Sequence, residues 1–285
     1  MPDNNSNSSN EKCKHEETLK NENNPLNNIK NVIGVMSGKG GVGKSTISVL
    51  LAKELNKKGY KVGILDADIT GPSIPKLLNL DNVRAKTLEK VIWPVKTKNG
   101  IKVMSLNLLI KDNEQPVIWR GPLIVGVVKQ FWTNVLWEKL DYLIIDMPPG
   151  TADVVITVMQ SFPIDGIVMV SMPQDLVSMI VAKAINMTRT MNVKIIGLVE
   201  NMSYIVCPDC QKEIRIFDNS NTQEFLKKMD VQLIEEFPMS IEIIDAIDKS
   251  NKSNKISKAL NEKFKAMTEK VIAFVNLKEE INMKI

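Results

Sequence analysis

Gly38-Lys39-Gly40-Gly41-Val42-Gly43-Lys44-Ser45-Thr46 is the stretch on which the reading of this chain turns. An apolar run at 32–36 leads into it, and a helix-forming run at 44–58 leads out. Strand, glycine-rich loop and helix in that order make a phosphate-binding loop. The glycines let the backbone curl so that successive N–H groups point at phosphate oxygens, and the helix N-terminus adds partial positive charge. Lys44 is then expected to reach the β- and γ-phosphates of ATP, with the Ser45 hydroxyl completing the shell of a Mg²⁺ ion.

Outward from the loop, apolar runs of strand length recur at 62–65, 101–105, 142–145, 166–170 and 195–199. Most are continuous rather than alternating, as strands covered by helices on both faces require. Helical stretches at 124–136, 154–160 and 176–191 lie between them. This alternation predicts an α/β fold, a doubly wound and mostly parallel sheet flanked by helices, the P-loop NTPase architecture. Pro94 and Asn99-Gly100 predict a local antiparallel hairpin over 93–101. Ile256, Leu260, Phe264, Met267, Val271 and Phe274 recur every three or four residues, an amphipathic helix expected to pack on the sheet.

Residues 1–28 are rich in Asn, Ser, Lys and Glu, so a disordered polar tail is expected before a domain at 29–285. The 285 residues carry 44% hydrophobic and 25% charged side chains, ordinary globular values, so one large core is affordable in size. A net charge of +4 without dense basic stripes argues against nucleic acid. Neither a membrane-spanning run nor a signal-peptide core is visible, which predicts a cytoplasmic protein without a membrane partner. In a reducing compartment the 3 cysteines point to metal or redox use rather than structural disulfides.

Two of those cysteines form Cys207-Pro208-Asp209-Cys210, read as an insertion near 201–217 that follows a strand and a turn at 200–202. A lone CxxC is ambiguous among zinc knuckle, redox pair and iron–sulfur ligation. A closed tetrahedral or iron–sulfur site takes four ligands, and Cys207, Cys210 and Cys13 cannot supply four thiolates. Two chains about a two-fold axis can. A Cys3His zinc site using Cys13 and His15 within one chain is the internal alternative, and a dimer-bridging zinc is another.

The second lysine of the loop, Lys39, makes it resemble the deviant Walker A box of the SIMIBI ATPases, which include the Min and Par positioning ATPases and the nitrogenase iron protein. That resemblance implies that Lys39 reaches a partner's phosphates in trans across a homodimer. Four further segments are similar to the Mrp/ApbC family of iron–sulfur cluster carrier ATPases: 66–75, Trp119-Arg120-Gly121-Pro122, 146–153 and Val199-Glu200-Asn201-Met202-Ser203-Tyr204. The match runs from about Asn28 to the C-terminal helix. It implies a transferable [4Fe–4S] cluster between the Cys207–Cys210 pairs of a homodimer, loaded from a scaffold and passed to apo-proteins with slow ATP turnover. Asp68 is then the residue that orients the attacking water, Asp66 supports the Mg²⁺ shell and Asp146 is the Walker B carboxylate. Pro148-Pro149-Gly150 resembles a γ-phosphate-sensing switch, and Asn201 the family's adenine-reading asparagine. The chain departs from some members in having only Cys13 ahead of the loop, and in the Lys/Ser/Asn-rich stretch 238–255.

Overall fold

The computed structural model describes residues 24–69, 71–110, 121–151, 153–176, 179–217, 220–247 and 256–282. Cys13 and His15, the expected tail up to residue 23, and the Trp119-Arg120 motif lie outside them. Strand β1 (Asn28–Ser37) feeds the phosphate loop, and α1 (Lys44–Lys57) leaves it. There follow β2 (Val62–Asp66), α2 (Ile74–Leu77), a hairpin of β3 (Lys86–Leu88) and β4 (Val91–Trp93), then β5 (Val95–Lys96) and β6 (Lys102–Met104). The middle of the chain holds α3 (Gly121–Thr133), β7 (Lys139–Asp146), α4 (Asp153–Ser161), β8 (Gly166–Ser171), α5 (Pro173–Leu176) and α6 (Met179–Thr190). The last elements are β9 (Ile195–Val206), β10 (Glu213–Ile214), α7 (Ser220–Lys228), β11 (Leu233–Pro238), α8 (Ile241–Ile247) and α9 (Lys258–Asn282).

Nine strands form one sheet among the described residues, in the order β10-β9-β8-β1-β7-β2-β6-β5, with β11 also on β9. All its pairings are parallel except β5–β6 and β9–β10. β1 lies at the centre because both its faces are apolar. Val32 and Met36 enter one core with Phe131, Trp132 and Phe162, while Ile33 and Val35 enter the other with Leu51, Leu55 and Phe264. Parallel neighbours need crossovers, and helices on both faces provide them, so the expected doubly wound α/β sheet is the observed one. The phosphate loop, the end of β2 and the end of β7 therefore share the carboxyl edge of the sheet, where open α/β folds bind ligands.

The expected hairpin over 93–101 is β5–β6, closed by the Thr97 carbonyl accepting from the Gly100 N–H at 2.9 Å. Other expectations need correction. Residues 200–202 are not a turn, because β9 runs on to Val206 with only a local kink at Met202, whose φ is 55°. Pairing with β11 carries the strand through: Glu236 faces Glu200 and Pro238 faces Tyr204. β11 itself was hidden by Glu235-Glu236 in the middle of its apolar run. Of the helix expected at 176–191, the described residues hold α6 (Met179–Thr190), with Leu176 closing α5, and the helix expected at 124–136 ends at Thr133.

The terminal stripe is helix α9, which buries Leu260, Phe264, Met267, Val271 and Val275 against the sheet. Phe264 packs on Phe237 of β11 with ring centroids 5.5 Å apart. Phe264→Ala removes a fully buried ring and is expected to cost about 3–5 kcal/mol in urea-unfolding stability. A loss below about 1 kcal/mol would mean that α9 does not form part of the core.

Candidate functional site

The loop's shape depends on glycine at one position above all. Gly43 caps α1 with φ 83°, and a Cβ placed there would lie 2.2 Å from Asn201 Nδ2. Only a residue without a side chain meets both the left-handed backbone and the close approach. Val42 offers its carbonyl to Asn201 Nδ2 at 2.9 Å, so β9 braces the loop from behind. Ser37 donates its hydroxyl to the Lys39 carbonyl at 2.9 Å, and the Gly150 N–H donates to the Ser37 carbonyl at 2.8 Å. The segment after β7, with Pro148-Pro149-Gly150, is thereby fastened to the loop's entrance.

Asp146, at the end of β7, has no exposure to solvent. Its Oδ2 is 2.9 Å from Lys44 Nζ and accepts the Ser45 hydroxyl at 2.6 Å, while Oδ1 accepts the Ser48 hydroxyl at 2.7 Å. A buried carboxylate persists only when charge and hydrogen bonds compensate it, and here all three partners come from α1. Ser45 and Asp146 thus bring a hydroxyl and a carboxylate oxygen together, the hard donor set that suits Mg²⁺. When bound, such an ion would supply positive charge to offset that of the nucleotide phosphates.

Asp66 ends β2, fully buried like Asp146, its Cα register partner on β7. Its carboxylate accepts the N–H groups of Asp68 and Ile74 and the Ser105 hydroxyl, each at 3.2 Å. Burial first, and then the nearby Asp146, hold its pKa well above the ordinary carboxylate range, against the pull of Lys44. The visible work of Asp66 is to tie down the 66–74 loop that carries Asp68. Asp68 is half-buried, and its Oδ1 accepts the Gly71 N–H at 3.2 Å. Lys39 is exposed at the rim of the phosphate loop.

Asn201 sits behind this loop at 2% exposure, with Oδ1 buried and lacking a hydrogen-bond partner. Its amide nitrogen serves the loop, so bracing is the contact the structure displays.

Farther along β9, Cys207 and Cys210 cap the β9–β10 hairpin, Cys207 half-buried and Cys210 exposed, neither in a disulfide. The Cys207 N–H donates to the Lys212 carbonyl and the Gln211 N–H to the Cys207 carbonyl, which makes a tight knuckle. Backbone N–H groups of Cys210 and then Asp209 face the Cys207 sulfur and hold its pKa below the ordinary thiol value. A thiolate turned toward solvent is the form that ligates metal. Val206, Ile214, Ile216 and Phe217 around it are exposed apolar side chains.

Ser48 and Ser105 escaped the sequence reading. Ser48 stands one turn beyond Lys44 on the buried face of α1, a polar residue in an apolar stripe; Ser105 closes the β6 run. Arg215 and Glu236 were missed as well, and Glu200 and Ser203, which they join across the strands, were read only as part of a motif. Their signal is carboxylates inside strand-length runs, legible only once the pairing is known.

Among the described residues no helix is long and apolar enough to cross a membrane. A parallel sheet whose central strand runs into this loop, with a buried aspartate at the next strand's end, defines a P-loop NTPase. The chain belongs to the family described as ParA, NUBPL iron-transfer P-loop NTPases, which it matches over residues 28–272. It is 52% identical to the iron-sulfur cluster carrier protein of Clostridium perfringens over 227 residues, 77% of this chain and 80% of that one. It is 42% identical to the iron-sulfur cluster carrier protein of Methanocaldococcus jannaschii, over 90% of this chain and 88% of that one. The solved nucleotide-binding protein of Archaeoglobus fulgidus, in complex with ADP, superposes with a TM-score of 0.71 at 40% identity, covering 85% of this chain and 94% of that one. The septum site-determining protein MinD of Pyrococcus horikoshii shares the fold, with a TM-score of 0.61 at 21% identity over 85% of this chain and 96% of that one. The resemblance to cluster carriers is borne out.

Gly43→Ala should weaken ATP binding at least about tenfold, since it strains the left-handed cap and displaces Asn201. Gly126→Ala, where nothing lies within 4 Å, should leave binding unchanged. Equal affinities in a titration with a fluorescent ATP analogue would show that the close approach of Asn201 is not required.

Proposed function

We propose that this chain is an ATP-dependent carrier of a [4Fe–4S] cluster, held between the Cys207 and Cys210 thiolates of two copies and delivered to apo-proteins after loading from a scaffold. The observation that carries the reading is the path of β9. One strand touches the phosphate loop through Asn201 and ends at Val206, one residue before Cys207, so a single element links the nucleotide end to the cysteines. Two thiolates per chain, raised on a hairpin among exposed apolar side chains, suit a cluster completed by a second copy.

Lys44 and the loop's N–H groups bind the triphosphate, and Ser45 with Asp146 would hold Mg²⁺. Asp68 orients the attacking water, with Asp66 fixing the loop that carries it. Lys39 is exposed, as a residue acting on a second copy's phosphates must be. Delivery is ligand exchange: each carrier thiolate leaves iron as a recipient thiolate replaces it, with no net oxidation or reduction. Timing matters more than throughput in such a carrier, so hydrolysis is slow.

Anaerobic reconstitution should load about two iron and two sulfide per chain, with the broad visible absorption of thiolate-bound iron. Cys207→Ala should abolish both; a variant that keeps a stable cluster would overturn the assignment of Cys207. Asp68→Asn should retain ATP binding and cluster loading while turnover and delivery fall about a hundredfold, the range for removal of a positioned acid–base group. If ATP binding falls as far as turnover, Asp68 is a binding residue and its water-orienting role is wrong.

A further inference from the structure

Backbone pairing holds the cysteine hairpin lightly. β10 meets β9 at only two register positions, Glu213 with Val206 and Ile214 with Ile205. The side chain that fastens the returning limb is Arg215, just past β10. Its Nη2 donates to Glu236 Oε2 on β11 at 2.7 Å, its Nη1 donates to Ser203 Oγ on β9 at 3.3 Å, and its guanidinium stands 5.5 Å from the Tyr204 ring centroid. One planar fork thus grips both strands beneath the hairpin.

The fork closes on a pair of carboxylates. Glu236 is the register partner of Glu200, which is fully buried on β9 next to Asn201. Glu200 Oε2 accepts the Ser203 hydroxyl at 3.1 Å, and Oε1 is buried without a hydrogen-bond partner. The groups around Glu200 are few. β11 presents Glu236, and the hairpin presents Arg215, with Glu213 near the guanidinium. β8 places Ser171, an uncharged residue, opposite it, and Lys263 of α9 is already paired with Glu235 at 3.0 Å.

We propose that Arg215 is the tether of the CxxC hairpin and that the charge on the Glu200–Glu236 pair sets its grip, so that a proton taken up on Glu200 loosens the cysteine-bearing limb. The proposal rests on the reading of Cys207 and Cys210 as the carrier's ligands. Burial, with a contribution from Glu236, pushes the Glu200 carboxyl up to about 7. A carboxyl raised in the fold stabilises it fully below its ordinary value near 4.5, and that contribution is lost as pH climbs through about 7. Ionisation therefore costs the fold as a whole. At the same time it adds a second negative charge beside Arg215 and so strengthens that one contact. Glu200 and Arg215 are positioning residues, acting on the cysteines through the hairpin.

The test is alkylation of Cys207 and Cys210 by iodoacetamide in the full-length, metal-free chain, resolved by peptide mass spectrometry. Dividing each variant's rate by the wild-type rate at the same pH cancels the chemistry of the thiols. R215Q should raise both rates about two- to fivefold at pH near 8, the range an exposed ion pair supports. R215K, which keeps the charge and loses the fork, should fall between. E200Q should match wild type near pH 6 and exceed it about twofold or more near pH 8, where wild-type Glu200 is ionised. An unchanged rate in R215Q, or an E200Q ratio that does not vary with pH, would overturn the proposal. Where R215Q fails to give a cooperative thermal melt, E236Q is read in its place against the same wild-type rates. Iron and sulfide analysis of the same proteins separates the two readings. Tether behaviour in a chain that loads no cluster leaves the tether standing and sinks the carrier function.

Discussion

Asp146 is a carboxylate with no contact with water, and the nucleotide end of the molecule is organised around its need for partners. An unpaired buried charge is worth several kcal/mol of destabilisation, so the fold must bring donors to it. Lys44, Ser45 and Ser48 are those donors, all on the first turns of α1. Satisfying Asp146 thereby docks the helix against the end of β7 and aims the loop's N–H groups outward. The same atoms that balance this charge are those a metal–nucleotide complex would engage.

From this anchor the contacts lead sideways across the sheet. Val42 meets Asn201, and Asn201 belongs to the strand that leads directly into Cys207. β9 is long and mostly buried, paired with β8 from Ile195 to Glu200 and with β11 from Leu198 to Tyr204, so a displacement at the loop has a stiff element on which to act. The hairpin beyond it is the opposite case: two register pairs, an exposed tip and one arginine fork. A rigid strand ending in a lightly held hairpin is a reasonable physical design for moving ligands without unfolding the sheet.

Much of this was legible in the sequence because the chemistry is local. A phosphate loop is a contiguous run, and the residues of Gly38–Thr46 reveal their role by spacing alone; continuous apolar runs likewise announce a parallel sheet. What escaped detection depends on residues distant in sequence. Glu200-Asn201-Met202 reads as a turn until β11 is seen to pair beside it, and β11 is masked by its own two glutamates. Asp66 is a metal-shell residue by resemblance, and its carboxylate also accepts the N–H groups of Asp68 and Ile74, contacts that only geometry reveals. Asn201 carries a family resemblance to adenine recognition, and its observed bond is to the loop itself.

On the proposed function, a single cluster joins two copies of this chain through Cys207 and Cys210. Native mass spectrometry of the anaerobically reconstituted protein tests it most directly. A species of two chains carrying the mass of one [4Fe–4S] cluster is expected, absent from Cys207→Ala and dispersed when the iron is chelated. A cluster of that mass retained on single chains would contradict it.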